Sequence, residues 1–448
     1  MHSKAGGNPL RPLLGLGFLV QGFRCFPWTA VNFFLKDGLG VAPSTLQLLQ
    51  SSVNFPMVGK PLYGIVSDAL YIRGQHRIPY IAVGVGGHLA YPAHIALGFL
   101  LQVISWLCIA LLPQSSLSIF TMSLFLLLSN LGASIVEVAN DALVAEAGKQ
   151  PESSTSAKRA PSGELQSFVW MLSSIGGAMG NLLGGIAINQ LSPRTMFLVF
   201  GLLLIIQLLT TVLIHENSLD LPKNLPNSGL QKQLSELSVA LHKPEILYSI
   251  AWFALSYAMI PILTGTMFFY QTQYLKLDSS ILGVSKVLGQ LAVLVWSASY
   301  NKWFKSVPPR KLISALQATI AVFMVSDALF VKQVYWNLGV SDGVYVVVFS
   351  GLLEVLFVFK ILPFSVLLAQ LCPPGCEGSV MAFLMSAIAL ATIVSGYFGV
   401  VLASLLGIST QDFSKLPQGI LIQAAFTVIP LIWSSWVPND TRPSKKLD

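Results

Sequence analysis

Long apolar runs separated by short polar stretches alternate along almost the whole chain. The hydrocarbon core of a bilayer is about 30 Å thick, and a helix crosses it with about 20 mostly apolar residues. The pattern therefore predicts twelve membrane-spanning helices. The first six are expected at residues 13–35, 46–68, 78–112, 117–144, 165–191 and 196–214. The second six are expected at residues 246–270, 281–303, 312–331, 344–371, 380–406 and 420–436.

A polar stretch at residues 215–245, with Pro222 and Pro226, separates the two sets of six and is predicted to be a cytoplasmic linker. The predicted domains are thus 1–214 and 246–448. Lys and Arg concentrate in cytoplasmic loops, which places the amino terminus inside and the loop with Lys332 on the opposite side. Two six-helix halves joined by such a linker predict an all-α membrane protein with the major facilitator fold, whose substrate site lies near the midplane between its halves.

The run at residues 78–112 is too long for one span and too short for two. Its middle contains His88, Pro92 and His94, which are polar or helix-breaking. We interpret residues near 86–99 as an inserted segment. A long kinked helix and a re-entrant turn are the alternatives.

Composition agrees with a membrane protein, since 54% of the 448 residues are hydrophobic and only 10% are charged. Soluble domains carry about 25% charged residues. The formal charge of +7 comes from singly scattered basic residues, which argues against nucleic-acid binding. No nucleotide-binding, metal-binding or catalytic motif is found, and we expect a monomeric non-enzyme without cofactor or metal.

Several short motifs resemble those of the folate-biopterin transporter family, and the chain looks like a plant member. They are Val20-Gln21-Gly22, Leu35 to Leu39, Lys60 to Asp68, Leu165-Gln166-Ser167 and Leu371 to Gly375. The resemblance implies a major facilitator transporter of pteridines, with protons as a candidate driving ion. Lys360 departs from it, because the resemblance leads us to expect an apolar tenth span.

Ionisable residues inside the predicted spans mark candidate functional positions, because a charge in hydrocarbon costs about 2.5–3.5 kcal/mol on insertion scales. Arg24, Glu137, Asp141, Glu354 and Lys360 fall on the first, fourth and tenth spans. In the major facilitator fold these spans line the central cavity. We therefore expect Glu354 and Lys360, together with Lys60 on the second span, to contact the substrate.

Gln21, Arg24 and Trp28 share one face of the first span by their i, i+3, i+7 spacing. Such a face suits a pterin conjugate, because Arg grips a carboxylate with two hydrogen bonds and Trp stacks on a flat ring. The alternative is that Arg24 pairs with a carboxylate on another helix.

Glu137 and Asp141 lie at i and i+4 on one face of the fourth span, where two close carboxylates favour proton uptake by one of them. We predict that this pair couples proton movement to transport. The alternatives are recognition of the pterin amino group and a salt bridge to Lys60 or Arg24.

Two further groups complete the predicted site, and a glycine stripe lies outside it. Asp68, Arg73 and Arg77 resemble the superfamily's gating signature after the second span, and Gln166 with Trp170 is expected to contact substrate from the fifth. Gly176, Gly180 and Gly184 form a stripe expected to serve helix packing.

The predicted function is secondary active transport of folate or pterin-like compounds by alternating access. A carrier of another organic solute and a non-transporting membrane receptor are the alternatives. Plant relatives include plastid-envelope members, although only about ten residues precede the first apolar run, which leaves no room for a long transit peptide.

Overall fold

The computed structural model describes residues 10–63, 93–148, 162–213, 241–304, 306–372 and 377–439, together with 235, 238 and 239. Within these residues each predicted span is helical, which confirms an all-α, multi-pass membrane protein. The first six helices are α1 (Leu10–Phe23 and Cys25–Phe33, followed by a π-helical turn at Phe34–Gly38), α2 (Pro43–Ser52 and Phe55–Val58), α3 (Ala93–Leu111), α4 (Ile119–Gly148), α5 (Ser162–Ala187) and α6 (Pro193–Leu213).

The second six helices follow the linker region. They are α7 (Pro244–Ala258, Thr264–Phe269 and Tyr270–Tyr274), α8 (Ser279–Ser299 and Tyr300–Phe304), α9 (Pro309–Val331), α10 (Asp342–Tyr345, Val346–Ser350, Gly351–Phe359 and Ile361–Leu371), α11 (Glu377–Leu406) and α12 (Leu416–Val428 and Ile429–Trp436). Among the described residues, eight helices are long and apolar enough to cross a bilayer, namely α4 to α6 and α8 to α12.

Helix α3 begins at Ala93, and its 19 residues are close to the length that a bilayer requires. Residues 93–99 of the suspected insertion are therefore part of a membrane helix. The physical reason is their apolar composition, which continues the hydrophobic run that follows. The remainder of the suspected insertion lies outside the described residues.

Contacts divide the chain into two compact units. The first contains Met1–Val31 and Gly59–Gln231, and the second contains Asn32–Val58 and Lys232–Asp448. In the first unit α1 packs along α5, and α3 packs against both α4 and α6. In the second unit α9 packs along α12, α7 along α11, and α8 along α10. The predicted boundaries at residues 214 and 246 stay predictions, and most of the linker lies outside the described residues.

Helix α7 is interrupted between Ala258 and Thr264, where Pro261 lacks the N–H that a continuous helix needs. The interruption leaves backbone groups without helical partners. The Gln47 side chain of α2 provides the missing hydrogen-bond partners. Its Nε2 donates to the Ile262 carbonyl at 2.6 Å, and its Oε1 accepts from the Gly265 N–H at 2.9 Å. This pairing explains why a glutamine that is only 2% exposed is tolerated in an apolar interior.

Glycines bring α1 and α5 into close contact, as the stripe on the fifth span predicted. A Cβ added at Gly180 would lie 2.9 Å from the Phe23 carbonyl oxygen, and one added at Gly184 would lie 3.0 Å from Thr29 Oγ1. At Gly176 an added Cβ would overlap the Leu19 carbonyl oxygen. Without a hydrophobic driving force in lipid, this close contact between backbones is what holds the two helices together.

Gly176→Ala should therefore destabilise the chain by about 1–3 kcal/mol, because the new methyl group meets backbone that cannot move aside without separating the helices. The measurement is the unfolding midpoint of the purified full chain in detergent. Gly343→Ala is the control, since its Cβ would meet only the flexible end of Ile281 at 3.3 Å. Equal midpoints for the two variants would contradict the packing role of the stripe.

Candidate functional site

The candidate site begins at a break in α1. Pro27 has no N–H to donate to the Phe23 carbonyl, and helix α1 is interrupted at Arg24. There the Arg24 N–H bonds weakly to the Gln21 carbonyl, three residues back, at 3.4 Å. The freed Phe23 carbonyl lies against Gly180, where no side chain obstructs it. The sequence thus places a cation at the irregular turn of a membrane helix.

Arg24 reaches across to α4. Its Nη1 pairs with Glu137 Oε1 at 2.9 Å, and its Nη2 donates to Asn130 Oδ1 at 2.7 Å. Asn130 and Glu137 are seven residues apart, which places them two turns apart on the same face of the helix. The guanidinium therefore bridges two turns of α4.

A second cation meets the same carboxylate from the segment that follows α2, because Lys60 Nζ lies 2.5 Å from Glu137 Oε2. Each Glu137 oxygen thus has its own cation. We call Arg24, Lys60 and Glu137 the charge cluster. Its side chains are 14%, 24% and 12% exposed, so water screens them little and the carboxylate is the counter-ion that both cations share.

Asp141 lies one turn beyond Glu137 on α4 and is exposed. Among the described residues it makes no salt bridge. The structure therefore selects Glu137, rather than Asp141, as the partner of Lys60. The cluster holds two positive groups and one negative group, and the exposed Asp141 is the nearest further carboxylate along α4.

A small cavity adjoins the cluster within the first unit. Its volume is about 10 Å³, room for about one water molecule, and Gln21, Arg24, Gln102 and Glu137 supply its polar lining. Gln21 Oε1 and Arg24 Nε are buried without a hydrogen-bond partner among the described residues. The cluster thus retains unused donor and acceptor capacity, although this cavity is far too small for a heterocycle.

The structure brings together Gln21, Arg24, Lys60 and Glu137 of the predicted site residues. It shows the ion pairs that the sequence left open as alternatives for Arg24 and Glu137. Trp28 is partly buried one helical turn from Arg24, whereas Trp170 is 63% exposed on α5. The Gln166 side chain, and Asp68, Arg73 and Arg77, lie outside the described residues. The ligand and gating roles of all these residues stay predictions.

Glu354 and Lys360 lie in different surroundings although both belong to α10. Glu354 pairs with Lys286 of α8 at 2.6 Å, and the two side chains are 62% and 44% exposed. Lys360 is completely buried in the second unit. Their predicted substrate contacts stay predictions, and the structure gives each a partner within the protein.

Lys360 is held by neutral groups. Its Nζ donates to Gln317 Oε1 at 2.6 Å and to Ser256 Oγ at 3.3 Å, and it lies 4.0 Å from the centre of the Tyr257 ring. Phe253 and Phe357 complete an aromatic cage around it. Among the described residues no carboxylate pairs with it. Cation–π contacts and hydrogen bonds to oxygen therefore replace the counter-ion that a buried ammonium usually requires.

Asn130 and Gln317 are contributors that the sequence analysis missed. Both are completely buried on apolar helices, and each receives a hydrogen bond from a cation. Charge was the signal used to select candidates, and these side chains carry none. A buried polar residue on a membrane helix, one or two turns from an ionisable group, is the pattern that would have identified Asn130.

Comparisons with known proteins identify the family. The model of the BT1 family matches residues 21–448. The chain is 60% identical to the probable folate-biopterin transporter 7 of Arabidopsis thaliana, over 99% of this chain and 97% of that protein. It is 44% identical to the probable chloroplastic folate-biopterin transporter 8 of the same plant, over 97% of this chain and 77% of that protein. It is 26% identical to the folate-biopterin transporter of Synechocystis sp., over 94% of this chain and 80% of that protein.

Solved structures of other transporters share the fold. The nucleoside transporter NupG matches with a TM-score of 0.67 and 16% identity over 95% of this chain and 99% of that one. A D-xylose-proton symporter matches with a TM-score of 0.67 and 14% identity, over 96% of this chain and 98% of that one. These likenesses confirm the major facilitator fold that the sequence predicted.

Glu137→Gln should destabilise the chain by about 1–3 kcal/mol, because two largely buried cations lose their counter-ion. Glu354→Gln is the matched control, and since its pair is exposed it should cost about 0–1 kcal/mol. The shift in unfolding midpoint in detergent measures both.

The double variant Lys60→Met with Glu137→Gln should be less destabilised than the sum of the destabilisations of the two single variants. Strict additivity would show that Lys60 and Glu137 do not interact.

Proposed function

The chain belongs to the BT1 family, the folate-biopterin transporters, and from this premise we propose that it is a secondary active carrier of folate or pterin-like compounds. In this proposal it works by alternating access and uses protons as the coupling ion. The observation that carries the proposal is the charge cluster of Arg24, Lys60 and Glu137. Its residues come from α1, from the short segment that follows α2, and from α4, and all three belong to the first unit.

Two largely buried cations that share one carboxylate form a receptor for an anion. When no substrate is bound, Glu137 is the counter-ion that the two cations share, and the cluster keeps one net positive charge. A substrate carboxylate can take its place, because Arg offers parallel donors that match the two oxygens of a carboxylate and Lys adds a point charge. The unpaired Nε of Arg24 and the unpaired Oε1 of Gln21 provide further hydrogen bonds beside this position.

Exchange of one carboxylate for another also provides a means of coupling. Once Glu137 takes up a proton, it no longer neutralises Arg24 and Lys60, and the two cations attract a substrate anion. One proton and one carboxylate then enter together, which leaves the net charge of the cluster unchanged. Asp141, exposed one turn away, is the group we propose for passing the proton to Glu137.

The names of the relatives support the proposal that the substrate carries a pterin ring in addition to its carboxylate. Folate-biopterin transporters of Arabidopsis thaliana and Synechocystis sp. match almost the whole chain. Trp28 lies one turn from Arg24 and has the flat apolar face on which a pterin stacks. We therefore assign the pterin ring to Trp28 and the carboxylate to Arg24 and Lys60.

A carrier of a different organic anion is the second candidate. The charge cluster explains recognition of a carboxylate and contains nothing specific to a pterin. Competition assays separate the two candidates, because a pterin without a carboxylate inhibits uptake only if the ring itself is recognised.

Purified full-length chain in lipid vesicles should accumulate labelled folic acid when the outside is more acidic than the inside. Arg24→Gln should reduce this uptake by about tenfold or more, since a charge-assisted hydrogen bond contributes about 1.5–3 kcal/mol. Glu137→Gln should abolish accumulation driven by the proton gradient while exchange of internal for external folate continues. Scintillation counting of filtered vesicles measures both activities.

Glu245→Gln is the control for these transport assays, because it removes an exposed carboxylate at the start of α7 in the second unit and should leave uptake unchanged. Uptake by Arg24→Gln at the wild-type rate would contradict the role of the cluster. Accumulation of another organic anion, with no uptake or competition by folates and pterins, would establish the second candidate instead.

A further inference from the structure

A second buried carboxylate lies in the second unit, far along the chain from the charge cluster. Asp327 of α9 is 6% exposed. Its Oδ1 accepts hydrogen bonds from the Tyr345 hydroxyl at 3.1 Å and from Ser350 Oγ at 3.1 Å. Among the described residues no Lys, Arg or His pairs with it. Whereas Glu137 has two cations, Asp327 has only neutral hydroxyl donors.

Those donors continue into a chain of hydroxyl groups. Ser326 Oγ lies 2.7 Å from the Tyr345 hydroxyl and 2.7 Å from the Tyr335 hydroxyl. Because Tyr345 donates its proton to Asp327, its oxygen is free to accept from Ser326, and Ser326 can accept from Tyr335. Tyr335, Ser326, Tyr345 and Asp327 thus form one continuous series of hydrogen bonds, with every donor directed toward the carboxylate. We call this series the hydroxyl chain.

The outer end of the hydroxyl chain reaches a loop. Tyr335 belongs to a 3₁₀ turn, Val334–Leu338, between α9 and α10, and it is partly exposed. Its neighbours Trp336 and Leu338 are 57% and 71% exposed. The distribution of Lys and Arg places this loop on the non-cytoplasmic side. The hydroxyl chain therefore runs from that side toward a carboxylate inside the second unit.

The inner end is enclosed by aromatic rings. Phe330 stacks on Tyr345 with ring centres 4.2 Å apart, and Phe349 stacks on it at 5.1 Å. Tyr335 lies 4.7 Å from the same ring. Rings packed this closely leave hydroxyl groups, rather than a column of water, as the connection between the loop and the carboxylate.

Few other titratable groups lie near Asp327. The phenols of Tyr345 and Tyr335 face it, and α12, which packs along α9, has no ionisable residue. On α10, Asp342 accepts from the Trp336 indole, Glu354 pairs with Lys286, and Lys360 binds Gln317. Gln317 is ten residues before Asp327, about 15 Å along α9. Lys332 lies at the exposed end of α9.

An ionised carboxylate without a cation is costly in a protein interior, and such a group takes up a proton instead. We propose that Asp327 is a proton-binding site, loaded through the hydroxyl chain from the loop between α9 and α10. Proton occupancy of Asp327 does not depend on what the chain transports. Its use as a coupling site rests on the proposed function.

Loading is a series of balanced proton transfers. A hydronium ion at the loop gives a proton to the Tyr335 oxygen, whose own proton passes to Ser326 Oγ. The Ser326 proton passes to Tyr345, and the Tyr345 proton passes to Asp327 Oδ1. The carboxylate becomes a carboxylic acid, one water molecule is left at the loop, and each hydroxyl group is restored after it rotates. No electrons move and no covalent bond between heavy atoms changes.

Infrared difference spectroscopy of the purified full chain tests the site without any substrate. As the pH is lowered, wild type should show the carbonyl stretch of a newly protonated carboxyl group, and this component should be missing in Asp327→Asn. The asparagine variant should remain folded, because its amide oxygen can still accept from Tyr345 and Ser350. Glu354→Gln, which removes an exposed carboxylate of α10, should retain the Asp327 component. A wild-type spectrum from Asp327→Asn would overturn the proposal.

Isotope exchange tests the hydroxyl chain separately. Tyr335→Phe should retain the carboxyl band of Asp327 but slow its shift after transfer into D₂O, because the entry hydroxyl is gone. Tyr274→Phe is the matched control, since Tyr274 is 57% exposed and is not part of the hydroxyl chain. Equal exchange rates in the two variants would overturn the proposed route.

Vesicle uptake then relates the site to transport. If Asp327 is a coupling site, Asp327→Asn should lose folate accumulation driven by the proton gradient and keep folate exchange. An Asp327 infrared component together with no folate transport by wild type would refute the proposed function and leave the proton site intact. Folate transport without that component would refute the proton site alone.

Discussion

Neutralising charge inside an apolar interior is the constraint on which the rest of this structure depends. Each buried ionisable group meets it differently. Two cations share the Glu137 carboxylate, Lys360 uses amide and hydroxyl oxygens with a cage of rings, and Asp327 has only hydroxyl donors among the described residues. The three solutions differ in how readily the charge can change. A carboxylate between two cations keeps its charge until a ligand or proton competes, whereas one among hydroxyl groups can lose it by taking up a proton.

Proline determines where two of these cations lie. Arg24 is followed three residues later by Pro27, and Lys360 is followed at the same spacing by Pro363. In both helices the missing N–H frees the carbonyl of the residue before the cation, at Phe23 and Phe359. Phe23 lies against the glycine stripe of α5, and Phe359 accepts from the Trp296 indole at 3.1 Å. The two helices thus present a cation at an irregular turn, with the freed backbone oxygen accommodated on a neighbouring helix.

The apolar pattern alone was enough to predict the helices, because a chain in lipid must satisfy its backbone internally and long helices do so. It did not place the interruptions in α1, α7 and α10, although Pro27, Pro261 and Pro363 are visible in the sequence. Proline in a membrane helix indicates a bend only when a neighbour such as Gln47 or Trp296 satisfies the freed groups. Those neighbours are distant in the sequence.

The site was predictable in its members and not in its pairing. Glu137 and Asp141 share a face, and only the position of Lys60 against α4 within the first unit decides that it meets Glu137 and not Asp141. Asn130 and Gln317 were not predicted, because charge was the signal for a candidate residue and both side chains are neutral. Lys360 was predicted to contact the substrate from the number of its helix, and that role stays a prediction. What the helix number could not predict is the position of its ammonium group beside the rings of Tyr257 and Phe357.

The assignment of Asn32–Val58 to the second unit has a consequence for how the chain is assembled. Gln47 completes the broken turn of α7, and Ser52 bonds to the Tyr397 hydroxyl of α11 at 3.0 Å. The chain separates Gln47 from Ile262 by 215 residues and Ser52 from Tyr397 by 345 residues. The ribosome therefore makes this segment well before the helices that receive it. Severing the chain at the linker would give a carboxy-terminal fragment that lacks part of its own interior.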